Sequence, residues 1–152
     1  MSILSPILSS PEKATRLNLG ESHLIHRIRS DQTGGALAVV EFVSGPGEGV
    51  GLHIHQNEDE LVYLLKGEIE VTLGDQKLGV TEGACALLPR NIPHGYTNVG
   101  KDTARLLAVL LPGGLDQFFV QLDHVLATQQ DHQEAIGALC RKFGLTLDAS
   151  QE

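Results

Sequence analysis

Three histidines and one glutamate carry the chemistry that can be read from this sequence. His53 and His55 stand two residues apart in the stretch from Gly47 to Glu60, and Glu60 follows His55 by five. In a strand, residues i and i+2 share a face, so His53 and His55 project together while Ile54 projects away. Gln56 to Asp59 forms a short polar turn, and Glu60 opens the next apolar run. If that run pairs back on the first strand, the carboxylate joins the two imidazoles. The fourth member is His94, at the exit of Pro89-Arg90-Asn91-Ile92-Pro93-His94. Three imidazoles and a carboxylate suit a divalent transition metal. They leave one or two positions open in a five- or six-coordinate site, as a catalytic metal requires.

Positioning these groups falls to short strands. Leu24 to Ile28 alternates in character and reads as an edge strand, and Ala36 to Val43 as a buried one. After the metal stretch come Leu61 to Leu65, Glu68 to Leu73, Lys77 to Val80, Ala84 to Leu88, Tyr96 to Val99 and Ala104 to Leu111, separated by glycine-bearing turns. Several short strands at such spacing predict an all-β sandwich or barrel. At Pro112-Gly113-Gly114 the period changes. Leu115, Phe118, Phe119, Leu122, Val125 and Leu126 recur at helical spacing, predicting a helix over Leu115 to Ala127. A second helix is expected with Asp131 as N-cap, Glu134 three later, an apolar face of Ile136, Leu139, Cys140 and Phe143, and Gly144 at its end. The tail from Thr146 is expected to fray. The division expected is an N-terminal arm over 1–20, packed on the body or on a partner chain, a barrel over 21–114, and helices over 115–145.

Composition narrows the function. The chain has 152 residues and a formal charge of −8, with 41% hydrophobic and 20% charged residues. One soluble domain follows, with no basic cluster for nucleic acid. Met1 to Ser10 lacks the basic residues of a signal peptide, and no apolar run reaches the roughly 18 residues that span a bilayer. Cys85 and Cys140 make no disulfide framework, so a cytoplasmic setting is expected. Of the remaining histidines, His23 and His26 are expected at surface or edge-strand positions, and His124 and His132 on a solvated helical tail. Cys85 is expected as a small buried hydrophobe and Cys140 in helix packing. Tyr63, an odd number of residues from Glu60, should point out of the barrel, and Tyr96 is a candidate for substrate contact.

The chain resembles the cupin superfamily. The first cupin motif, a Gly, five residues, His-x-His, three or four residues, Glu, six residues, Gly, reads here as Gly47, His53, His55, Glu60 and Gly67. The second, Gly, five residues, Pro-x-Gly, two residues, His, three residues, Asn, reads as Gly83, Pro89, His94 and Asn98. Asn91 stands where the family usually has glycine, and asparagine tolerates the left-handed backbone better than most residues. Segments from Thr33 to Leu37, Val39 to Phe42 and Pro112 to Phe119 look like the quercetin-dioxygenase-like group.

The resemblance implies a double-stranded β-helix, the cupin jelly-roll barrel, with a C-terminal helical tail and a homodimeric assembly. His53, His55, Glu60 and His94 would converge on one metal (Fe, Mn or Ni, with Zn also suited). The first functional expectation is a quercetinase-like dioxygenase acting on a phenolic or enolic small molecule. Glu60 would be a ligand that also accepts the substrate hydroxyl proton. Inward residues such as Val62 would shape a modest pocket for an apolar ring. The alternatives are a non-oxidative isomerase or lyase using the metal as a Lewis acid on a small oxygenated acid or sugar, and a non-enzymatic barrel that binds a small ligand. The absence of an evident Arg or Lys pair weighs against a sugar phosphate.

Overall fold

In the computed structural model, which describes residues 4–128 and 130–147, eleven strands form two antiparallel sheets packed face to face. In chain order they are β1 (Thr15–Asn18), β2 (His23–Ile28), β3 (Ala38–Ser44), β4 (Gly49–His55), β5 (Asp59–Lys66), β6 (Glu68–Leu73), β7 (Gln76–Thr81), β8 (Cys85–Leu88), β9 (His94–Asn98), β10 (Ala104–Leu111) and β11 (Leu145–Leu147). Helices α1 (Asp116–Thr128) and α2 (Gln133–Phe143) lie between β10 and β11. One sheet runs β1-β2-β3-β10-β5-β8 and the other β11-β4-β9-β6-β7. This is the expected jelly roll with a helical tail.

Alternation of residue type builds the sandwich. On β10, Ala104, Leu106, Ala108 and Leu110 are buried and the residues between them are half-buried. That strand sits between β3 and β5, with Ala108 opposite Val40 on one side and Val62 on the other. Leu24, Val40, Leu64, Ile69 and Leu110 fill the space between the sheets at 2% exposure or less. Each such side chain taken from water contributes roughly 1.5–3 kcal/mol.

The structure corrects several readings at the ends of the chain. Leu24 to Ile28 is not an edge. Thr15–Asn18, within the stretch expected as an arm, pairs outside it with Leu17 opposite Leu24. Only Leu17 of that strand is buried, so its pattern is too thin to read from sequence. Leu145–Leu147 does not fray but pairs with β4; residues 148–152 lie outside the described residues. The second helix starts at Gln133, with His132 in the cap position. Asp131 still serves it, since its Oδ1 accepts the Gln133 N–H at 3.2 Å.

His26 is buried rather than superficial. Its Nε2 lies 2.8 Å from Asp116 Oδ2, which also accepts the Ser30 N–H at 2.9 Å. Asp116 is the first residue of α1, so this contact pins the helix to β2. Phe118 and Phe119 then pack inward, with Phe119 edge-on to Phe42 at 5.6 Å. Burial alone would raise the Asp116 carboxyl, but the bonds from His26 and Ser30 outweigh it and hold the group down at about 2.

A group whose folded value lies below its unfolded value stabilises the fold above the unfolded value. Here that support is full above about pH 3.8 and is lost as pH falls through about 2. Asp116→Asn is therefore expected to cost about 2 kcal/mol at pH 7. Urea unfolding from pH 7 down to pH 2 should show the gap from wild type closing below pH 4. A gap independent of pH would remove the charge as its cause.

Candidate metal centre

The two sheets divide the labour of holding the four polar residues. His53 and His55 sit on β4 and His94 opens β9, all in the five-stranded sheet. Glu60 sits on β5 in the six-stranded sheet, opposite Leu88 on one side and Leu110 on the other. Their ligand atoms all lie within 4.8 Å of one another, and all four residues are buried. Glu60 Oε2 is 3.5 Å from His55 Nε2 and 3.3 Å from His94 Nε2. The Nε2 atoms of His53 and His55 are 3.0 Å apart.

Backbone irregularity aims these side chains. Val50 pairs with Tyr96 and His53 with His94, so β4 carries one residue more than β9 between the two pairs. This bulge changes the parity of β4, so that Val50, His53 and His55 all line one cavity. It also frees the Gly51 carbonyl, which faces His53 Nδ1 at 2.7 Å. The strands approach closely here: a Cβ on Gly49 would strike the Tyr96 carbonyl, and one on Gly95 the Val50 carbonyl. Before His94 the chain turns at Asn91, the only non-glycine residue with positive φ (66°) among those described. Asn91 takes the left-handed conformation expected of it, and its N–H donates to the His55 carbonyl at 2.7 Å.

Electrostatics prepare the cluster for a cation. Burial, with the neighbouring His94 and His55, pushes His53 down to about 4, so its ring is neutral at neutral pH. Burial opposes ionisation of Glu60, yet the facing imidazoles of His55 and His94 win and hold it at about 2. His94 Nε2 is buried without a hydrogen-bond partner. A buried imidazole nitrogen without a partner, a neutral neighbour and an ionised carboxylate are groups that a divalent cation satisfies, so the residues fit such a metal.

The cluster forms part of the wall of a cavity of about 730 Å³ between the sheets. This exceeds the modest pocket expected and falls in the range of sites for drug-sized ligands. Val62, Leu64, Ile69 and Val71 line it from the strands, and Phe118, Leu122 and Ile136 from the helices. Among the described residues, no lysine or arginine lines it. Tyr96 lines it too, but its hydroxyl bonds Ser44 Oγ at 2.7 Å, and burial pushes the phenol up to about 12. Tyr63 points outward, 44% exposed. Cys140 is buried as expected, whereas Cys85 is exposed because β8 ends its sheet. Gly47, Gly67 and Gly83 all have positive φ and serve turns.

Sequence reasoning passed over Glu58. It lies in the polar turn between β4 and β5 but is 7% exposed, with its Oε2 unpartnered. Burial pushes its carboxyl up. Nothing in the composition of the turn separates it from its solvated neighbours.

Residues 40–110 match the cupin domain family. Over 102 residues the chain is 28% identical to quercetin 2,3-dioxygenase of Bacillus subtilis (strain 168), covering 67% of this chain and 29% of that protein. Over 67 residues it is 31% identical to polyketide synthase CurC of Streptomyces cyaneus, covering 44% of each. The match thus spans less than half of either relative. Among solved structures, KdgF from Halomonas sp. superposes with a TM-score of 0.66 at 17% identity, covering 74% of this chain and 99% of that one. Fold, motif residues and family match agree: residues 40–110 are a cupin domain, and the whole supports a small cupin with a buried His-His-Glu-His cluster that fits a divalent metal.

Proposed function

We propose that this cupin is a metal-dependent oxidoreductase of the dioxygenase type, acting on an apolar phenolic or enolic small molecule. His53, His55, Glu60 and His94 would hold the metal, with Fe, Mn or Ni favoured and Zn also suited. The observation that carries the reading is a three-histidine, one-glutamate cluster in the wall of an apolar cavity without cationic side chains. When bound, a divalent transition metal supplies a Lewis-acid centre and, if redox-active, a partner for dioxygen.

The rest is the work of this chain's residues. A dication and the Glu60 carboxylate leave one net positive charge in a poorly polar space. One enolate or phenolate oxygen neutralises it. Phosphates and dicarboxylates carry more charge than the cavity can match without lysine or arginine, and charge buried unpaired is costly. Val62, Ile69 and Phe118 suit an aromatic ring. Held at about 2, Glu60 stays ionised and is a weak proton acceptor. It suits a hydroxyl that is itself acidic, such as a phenol beside a carbonyl. The quercetin dioxygenase relative supports this substrate chemistry.

A second reading rests on the relative named for polyketide synthesis. Poly-ketones enolise to the same oxygen donor, and a non-oxidative lyase or isomerase would use the same cavity. Among the described residues no helix is long and apolar enough to cross a membrane. Free Cys85 and Cys140 fit a reducing cytoplasmic setting.

A homodimer through the outer face of the six-stranded sheet completes the proposal. Leu61, Tyr63, Leu65 and Leu87 are 39–63% exposed there. Leu61 lies beside Leu87 and Val109, and Tyr63 beside Leu107. The carboxylate nearby, Glu41, is bonded by Arg105 at 2.6 Å. Two copies that each carry −8 meet best on an uncharged face.

Three outcomes are expected. Elemental analysis of tag-free protein should show about one equivalent of Fe, Mn or Ni, lost in His94→Ala; unchanged content in that variant would remove the ligand assignment. Oxygen uptake on a panel of flavonols and catechols should depend on substrate and fall about 100-fold in Glu60→Gln. Bound metal with anaerobic turnover but no uptake would transfer the assignment to the second reading. Light scattering should give twice the 16.3 kDa chain mass for wild type and the chain mass for Leu87→Arg; a monomeric wild type would refute the dimer.

A further inference from the structure

A histidine that ligates through Nε2 must carry its proton on Nδ1, and a buried Nδ1–H needs an acceptor. Two of the three histidines already have one. His53 Nδ1 is 2.7 Å from the Gly51 carbonyl, and His94 Nδ1 is 3.2 Å from the Ile92 carbonyl. A carbonyl only accepts, so both rings carry a proton on Nδ1 and leave Nε2 as the nitrogen for a metal; His53, held neutral, has that nitrogen bare.

His55 differs. Its Nε2 is 3.0 Å from His53 Nε2. Since His53 offers a lone pair there, His55 donates, and its own proton sits on the nitrogen that a metal needs bare. His55 Nδ1 is buried and has no partner. A metal that takes Nε2 moves the ring to the other tautomer and leaves Nδ1–H to be satisfied.

The turn beyond His55 holds a matching orphan. Glu58 is three residues on, 7% exposed, and its Oε2 has no partner. It does not line the cavity, so it is not turned toward substrate. The neighbouring acid, Asp59, is occupied, with both carboxylate oxygens bonded by Arg90 at 3.1 Å. We infer that Glu58 is the positioning residue of the metal centre, accepting the His55 Nδ1–H once a metal is bound and fixing the tautomer that presents Nε2. The inference rests on the metal reading above. It gives each of the three imidazoles an outward acceptor, and such partners typically change metal affinity by about 10- to 100-fold.

The test uses the full chain, stripped of metal and titrated with Zn²⁺ against a chromophoric chelator. Glu58→Ala should bind about 10- to 100-fold more weakly than wild type, and Glu58→Gln, which keeps an acceptor oxygen, should fall between them. Long-range ¹H–¹⁵N spectra of the Zn²⁺-loaded wild type should show His55 protonated at Nδ1, with that resonance shifted in Glu58→Gln and broadened by exchange in Glu58→Ala. Urea unfolding of the metal-free proteins should be little changed, because the Oε2 that would serve His55 has no partner there; a merely structural role would lower stability with and without metal. Wild-type affinity and an unshifted His55 resonance in Glu58→Ala would overturn the inference while leaving the metal site standing. Failure of wild type to bind Zn²⁺ would overturn both.

Discussion

Everything in this fold depends on two sheets closing over four polar side chains. Three imidazoles come from one sheet and the carboxylate from the other, so the cluster exists only when the sandwich has formed. Taking such groups out of water without partners costs several kcal/mol. The fold offsets that cost locally. Glu60 faces two imidazoles, two of the three Nδ1 atoms face backbone carbonyls, and His53 is kept neutral. What remains unsatisfied, His94 Nε2 and His55 Nδ1, lies inside the cluster or on its outer side. The sandwich is therefore least content where it is most specific, an arrangement that a bound cation relieves.

Backbone devices set the geometry. A strand of ideal alternation could not place Val50, His53 and His55 along one wall. The bulge between Val50 and His53 does so, and close packing of Gly49 and Gly95 lets β4 and β9 meet across it. The Asn91 turn delivers His94 opposite His53 and bonds the His55 carbonyl, so the two distant motifs are joined by backbone as well as by their side-chain cluster.

The four-residue cluster was legible because His-x-His parity and two motif spacings are local properties, and so were the strand Ala104–Leu111 and the left-handed Asn91. Less legible was whatever depends on distant partners. The His26–Asp116 contact joins residues 90 apart, and neither has a local pattern that announces the other. Leu17 is the one buried residue of β1, and β11 has three residues, too few for periodicity. Cys85 is exposed because β8 lies at a sheet edge, a fact of topology rather than composition. Glu58 sits among turn residues and is buried by the way β4 returns into β5. The cavity's size likewise comes from both sheets and both helices together.

The helical tail is more than an outer layer. The Asp116–His26 contact fixes where α1 starts, and Phe118 and Leu122 then wall the cavity. After α2 the chain turns at Gly144, with φ of 69°. It then lays Leu145 opposite His55 and Leu147 opposite His53. The Gln56 N–H donates to the Gly144 carbonyl at 2.9 Å just beyond. Strand β4 is thus hydrogen-bonded on both flanks where its imidazoles project, by β9 on one side and by the tail on the other. A strand held on both sides cannot twist its side chains out of register. The segment that encloses the apolar cavity is also the one that braces the strand carrying His53 and His55, so the shape of the cavity and the stiffness of the cluster are properties of the same few residues.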